Sequence, residues 1–203
     1  MIMACYNMMI PHIVSGLPEE QARALSLQSK SPLIYTSVGL RNWRAFKEME
    51  IGMAMSPGNM HQAVMMDFPV SIGAYEYTKT PDDPCIIQMI SCPYGDTIGA
   101  PALEQYREAR YKMLSLQFKD YENEIRAHLS GMLPEELFDF DRDVESITVN
   151  RWGHGYTVGG PDDSVLVGRQ PFGRIGIANC DSAPGADAKT AIDMASRAVN
   201  ELG

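Results

Sequence analysis

The element order predicts an α+β fold: a layer of mixed sheet plus one long helix, flanked at each terminus by a piece of an α/β domain. Three observations in the 203-residue chain carry this prediction. Short apolar or alternating runs group in the middle, residues 103–132 keep helical spacing, and residues 169–202 read as strand, small-residue loop and helix. With 45% apolar and 21% charged side chains, the chain is globular in class and long enough for one substantial core or two small ones.

Residues 2–6 form an apolar run that suits a buried strand. Leu17-Pro18-Glu19-Glu20 opens a short helix, with proline at its first position and acids in a first turn where they favour the dipole. Residues 33–38 alternate as a strand, and residues 41–48 make a brief helix or turn carrying Trp43 and Phe46. Residues 63–68 and 85–91 are further strands, joined by the turn-rich Thr80-Pro81-Asp82-Asp83-Pro84. The long helix follows. Leu103, Tyr106, Met113, Leu114, Phe118, Tyr121, Ile125, Leu129 and Met132 mark its apolar face, which is expected to cover a sheet, and Glu122 and Arg126 form an i,i+4 pair. A strand at residues 147–150 leads into the loop RWGHGY, and the polar residues 159–164 precede the C-terminal unit.

In that unit, Ile175, Ile177 and Ala178 suit a strand covered on both faces, Asp181 follows where it ends, and residues 182–185 keep bulky side chains out of the way. From Ala188 onward, Ala191, Ile192, Ala195, Ala198, Val199 and Leu202 recur at spacings of three and four, an amphipathic helix whose first-turn N–H groups face the loop. Such a helix start suits a polar or anionic cofactor edge, although many α/β domains with the same arrangement bind nothing there.

The net charge of −9 argues against a nucleic-acid partner and is compatible with cationic substrates. Cys5, Cys85, Cys92 and Cys180 contain no CxxC pair and the histidines no HxxxH, so no metal site is expected. Each cysteine sits in an apolar setting that suits a buried thiol, and Cys85 and Cys92 fall on opposite faces of one strand and cannot bridge. The 14 methionines read as adaptable core filling. No apolar segment is long enough to span a bilayer, and the first residues lack the basic region of a signal peptide.

The stretch IANCDSAPGADAKT resembles the C-terminal flavin-binding segment of FAD-dependent amine oxidoreductases, in particular the spermidine dehydrogenase-like branch of the flavin amine oxidases. The phrases ACYNMMIPHI, LIYTSVGLRNWRAF, SPGNMHQAVMMDFPVSIGAYEY and ITVNRWGHGY resemble the same branch in the same order, and together they cover nearly the whole chain. Asn150-Arg151-Trp152 with His154-Gly155-Tyr156 is the most specific of them; the family form usually has proline where this chain has Gly153, which loosens the backbone there. The Gly-rich GxGxxG turn that holds the FAD pyrophosphate in such enzymes is absent from the sequence.

The resemblance implies the C-terminal part of an FAD-dependent oxidoreductase that oxidises a C–N bond of an amine or polyamine to an imine, with hydride passing to the flavin. It implies an α+β substrate-binding layer at 31–160, flanked by a fragment of the α/β FAD-binding domain at 1–30 and a C-terminal FAD-binding segment at 161–203. Half of the cofactor site would then come from a separate N-terminal FAD-domain polypeptide, and the chain alone is expected to be inactive and to hold FAD poorly. Trp152 and Tyr156 are the candidate substrate wall, and His154 a catalytic or loop-supporting group. Asn179, Asp181, Gly185, Ala188, Lys189 and Thr190 are the candidate cofactor residues, with Asp181 on a ribityl hydroxyl or, alternatively, capping its own loop. His61, Trp43 and Arg41 are read as structural. Two other outcomes stay open: a catalytically inert or interaction-only remnant, and an unrelated α+β binding domain. Localisation is open as well, cytoplasmic by default and periplasmic if the chain follows exported family members.

Overall fold

The computed structural model describes residues 1–161, 163–183 and 185–203. In chain order the elements are β1 (Ile2–Met3), α1 (Ile10–Ile13), α2 (Glu19–Ser26), β2 (Ser29–Leu40), α3 (Arg44–Glu48), β3 (Met53–Met55), β4 (Ala63–Met66) and β5 (Cys85–Ser91). There follow α4 (Ala102–Ser115), α5 (Phe118–Met132), α6 (Phe140–Asp143), β6 (Val144–Gly159), α7 (Ser164–Gly168), β7 (Gly176–Ile177) and α8 (Ala188–Glu201). The chain forms two compact units, Met1–Ser31 with His154–Gly203, and Pro32–Gly153.

The second unit is α+β. Its five-stranded sheet has the order β3-β4-β5-β2-β6, and the β3–β4, β4–β5 and β5–β2 pairs are antiparallel. Alternation sends Ile34, Val38 and Leu40 of β2, Val64 of β4, and Ile87 and Met89 of β5 to one face. There they form a core with Met113 of α4 and Tyr121, Ile125 and Leu129 of α5. Burying a side chain of this size contributes roughly 1.5–3 kcal/mol, so this helix-covered face dominates the unit's stability. The positions between them, including Tyr35, Ser37, Met65, Ile86, Gln88 and Ile90, lie on the opposite face by the same alternation.

The single long helix of the sequence reading is two helices, α4 and α5, broken at Leu116 and Gln117, where the backbone is extended. The apolar period continues across the break and hides it. The break is stable because both exposed ends find partners. Gln117 opens α5 with a capping box, the Asp120 carboxylate accepting the Gln117 N–H at 2.8 Å. At the α4 end, Tyr121 Oη donates to the Met113 carbonyl (2.8 Å) and Arg151 to that of Leu116 (3.0 Å). Tyr121→Phe removes one of these donors at a fully buried position and is expected to lower stability by about 1 kcal/mol, read as a shifted denaturant midpoint with unchanged m. The expected Glu122–Arg126 pair is also corrected: Lys119 takes Glu122 (2.7 Å) and Arg126 takes Asp141 (2.7 Å).

The sequence RWGHGY is not a loop. It lies inside β6, which runs on to Gly159, and neither Gly153 nor Gly155 has a positive φ. Gly153 is positioned by Arg110, which donates to its carbonyl at 3.3 Å and whose Cδ would lie 3.3 Å from an added Cβ.

The first unit packs Met3, Ile10, Val14, Leu25 and Ile177 around a two-stranded parallel sheet of β1 and β7. The expected buried strand at residues 2–6 shrinks to Ile2–Met3, because the chain turns at Asn7–Met9; Ile2 and Tyr6 are exposed. Gly176 allows α8 to lie close on β7, since a Cβ there would meet Leu202 Cδ1 at 3.1 Å and Ala198 Cβ at 3.3 Å. Of the predicted apolar face of α8 only Ala198 is buried, and Ile192 and Val199 stand exposed.

Candidate functional site

In the first unit β1 and β7 run parallel, with Ile2 opposite Gly176 and Met3 opposite Ile177, so both strands end at the same corner. The chain places amides and charges there. Asn179 Nδ2 donates to the Cys5 carbonyl (2.5 Å) and to Asn7 Oδ1 (2.9 Å), while its Oδ1 accepts the Asp181 N–H (2.7 Å). Asn7 Nδ2 donates to Gln28 Oε1 (2.8 Å), and Gln28 Nε2 donates to the Ser164 carbonyl (3.0 Å). The Asp181 carboxylate accepts the Asn7 N–H at 3.1 Å and lies 2.5 Å from Lys30 Nζ, each side chain of the ion pair being 5% exposed. Lys30 Nζ sits 4.7 Å from the centroid of the Tyr6 ring. That ring is 5.8 Å from the imidazole of His154, and Tyr6 Oη donates to the His154 carbonyl at 3.3 Å.

This corner is the chemically dense part of the unit. Lysine and aspartate are rarely buried except in pairs, and a buried pair keeps its charges only where further hydrogen bonds complete it. The carboxyl ends of parallel strands are also where α/β sheets bind ligands. Lys30, Tyr6, Asn7 and Gln28 are not among the candidates that the sequence offers. One signal does point to Lys30: it is the only charged residue between Ala24 and Leu40.

The Asp181 N–H bonds to Asn179, and the Asp181 carboxylate turns inward to Lys30 and Asn7. At the start of α8, Asp187 caps the helix. Its carboxylate accepts the Thr190 N–H and hydroxyl, both at 2.8 Å, and those two bonds hold it below the usual carboxylate range. The Thr190 N–H thus bonds within the helix start and is not open toward the loop. Lys189 is exposed and pairs with Asp193 at 2.6 Å, and Ala188 is exposed. Gly185 is held against Thr190, whose Oγ1 would lie 2.5 Å from an added Cβ. Pro184, in the predicted small-residue loop, lies outside the described residues, as does Asp162 in the predicted polar stretch.

Tyr156 belongs to the first unit and is 40% exposed. Trp152 belongs to the second unit, where it packs on Tyr35 with ring centroids 6.4 Å apart. Also in the second unit, His61 is buried with Nε2 2.9 Å from Thr36 Oγ1, and His128 Nε2 is 2.9 Å from Ser56 Oγ. Burial and the neighbouring His128 push the pKa of His61 down to about 4. Trp43 Nε1 donates to Thr78 Oγ1 (2.7 Å) and Arg41 pairs with Glu145. The four cysteines are free thiols, and burial raises Cys85 to about 11. Among the described residues no group of three or more His, Cys, Asp or Glu is placed to hold a metal, and no helix is long and apolar enough to cross a membrane.

No family model matches the sequence, and no curated protein does. Solved structures do. Cyclohexylamine oxidase from Brevibacterium oxydans IH-35A superposes with a TM-score of 0.71 at 10% identity, over 99% of this chain and 42% of that one. A double mutant of putrescine oxidase, from a structure-based redesign of cofactor binding, gives 0.65 at 17% identity over 97% of this chain and 40% of that one. A single mutant from the same redesign gives 0.66 at 18% identity over 99% and 42%. The chain has the fold of part of an amine oxidase. It spans about two fifths of the length of the structures it matches.

Proposed function

We propose that this chain is the C-terminal part of a flavin-dependent amine or polyamine oxidoreductase, oxidising a C–N bond to an imine with hydride transfer to FAD. The observation that carries the proposal is the polar corner at the joint carboxyl ends of β1 and β7, in a chain with the fold of part of an amine oxidase. The buried Lys30–Asp181 pair and the side chains of Asn7 and Asn179 are bonded to one another, so they would fix the strand ends beside which the polar edge of a flavin ring lies and would not donate to it directly. Bound there, FAD supplies the redox chemistry. Lys30 holds a fixed positive charge, Asp181 keeps it in place, and Asn179 ties the two strand ends together. Gly185, Ala188, Lys189 and Thr190 supply the loop and helix start alongside the corner. By the resemblance, Trp152 of the second unit and Tyr156 of the first are each candidates for substrate contact, and His154 for a catalytic or supporting role. Placement in the spermidine dehydrogenase-like branch rests on the RWGHGY and IANCD phrases.

The need for a separate N-terminal half is supported by three features: the missing GxGxxG turn, a parallel sheet of two strands among the described residues, and apolar side chains of α8 left exposed. The test is a flavin spectrum of the purified chain, alone and mixed with a GxGxxG-containing polypeptide. The mixture is expected to be yellow and to bleach on adding amine, and the lone chain to be colourless. A colourless mixture that no amine changes would leave an inert remnant as the better description.

A further inference from the structure

The outer face of the second unit's sheet carries no charged side chain at any strand position, although 21% of the sequence is charged. The helix-covered face takes the even positions of β2 and β4 and the odd positions of β5 and β6, as Ile34, Val64, Ile87 and Val149 show. The other positions lie opposite. Across the sheet they set Tyr35, Ile90, Ala63 and Met55 in one row, and Ser37, Gln88, Met65 and Met53 in the next. Beyond Tyr35, on β6, Trp152 closes the first row. Ser37 Oγ donates to Gln88 Oε1 at 2.8 Å, so the polar pair at its centre is neutral and internally bonded. Met53 and Met55 at the edge are more than half exposed, whereas Ala63 and Gln88 within the rows are buried. A solvated face of an antiparallel sheet is ordinarily polar, and an apolar one marks a surface that binds something.

At the end of this face a cleft of about 840 Å³ opens over Gly39, Ile86 and Ser146, walled by Tyr75 and Tyr77. Its carboxylates are already engaged: Glu145 with Arg41, Glu76 with Lys79, and Asp83 by the N–H groups of Lys79 and Thr80. Just past β4, Asp67 accepts the N–H of Phe68 at 2.9 Å.

We infer that this face takes the apolar body of the amine, and that the substrate is a hydrophobic monoamine and not a polyamine. This rests on the amine oxidoreductase function proposed above, narrows it to monoamines, and departs from the polyamine substrate that the branch resemblance implies. An ammonium carried along a face without carboxylates loses its water with no countercharge, whereas methylenes and rings gain by leaving water. Methionine thioethers adapt to such bodies, and the Tyr35–Trp152 pair gives them a flat wall.

The test needs no flavin, so it succeeds or fails apart from the flavin spectrum. The full chain, labelled with 13C at the methionine methyls, is titrated with butylamine, hexylamine and octylamine, and with hexane-1,6-diamine and spermidine. The signals of Met53, Met55 and Met65 are assigned by Met→Leu variants. The monoamines are expected to shift them saturably, Kd falling about threefold to fourfold per added methylene. Hexane-1,6-diamine is expected to bind at least tenfold more weakly than hexylamine, and Met53→Glu to narrow that gap. Diamine or spermidine binding as tight as hexylamine, abolished by Asp67→Asn, would overturn the inference. So would methyl shifts that follow protein concentration and ignore amines, which would make the face a contact between copies of the chain.

Discussion

Replacing Lys30 with methionine is expected to destabilise the first unit by about 3–5 kcal/mol, the range for removing one partner of a buried ion pair. The size follows from what is left behind. Asp181 would stay buried with its carboxylate held by the Asn7 N–H and the weak Cys180 thiol donor, and a desolvated carboxylate without a cation is among the costliest groups a core can hold. Changing both partners, Lys30→Met with Asp181→Asn, is expected to recover much of the loss, because the buried charge goes with its partner. Urea unfolding of the parent and of both variants decides the matter. A single variant within about 0.5 kcal/mol of the parent would show that the pair is solvated and the corner open.

The second large effect is one of pH. His61 titrates at about 4 in the folded chain against 6.5 when unfolded, since burial and His128 both disfavour its charged form. The folded state therefore binds fewer protons than the unfolded state between these values, and stability falls as pH drops. Its contribution is complete above pH 6.5, declines below it, and is gone once the pH passes below about 4. The gap corresponds to about 3 kcal/mol at roughly 1.4 kcal/mol per pKa unit. His128, also lowered chiefly by burial, adds a loss of the same sign. Denaturant midpoints of the parent and of His61→Asn, compared at pH 7 and pH 4.5, isolate the effect from the carboxylates common to both. The variant is expected to show the shallower dependence. Parallel curves would mean that His61 is hydrated in the folded state.

The two predictions fall on residues that the sequence announces very differently. His61 stands in the phrase SPGNMH and reads as structural from the sequence, and it is buried with Nε2 against Thr36. Lys30 is marked only as the lone charge between Ala24 and Leu40, and nothing local announces its partner, 151 positions away. The same contrast runs through the elements. Strand β5 is legible to the residue, since a largely apolar seven-residue run bounded by turn residues has few alternatives. The α4–α5 break is not, because the apolar spacing carries over Leu116 and Gln117 while the carbonyls at the break are satisfied by Arg151 and Tyr121. RWGHGY looks like a loop for its glycines, yet it is strand, because Arg110 and the neighbouring β2 hold it extended.

By itself the sequence determined the α+β composition, most strands, the helix after Asp187, and the resemblance that points to amine oxidation. Those are local properties, written in periodicity, caps and short phrases. The tertiary structure decided which groups meet across the chain: that Asp181 turns to Lys30, and that Tyr35 and Trp152 share an uncharged sheet face. Such pairings depend on strand register and on partners distant in the chain, and a charge buried in one register would be solvated in the next.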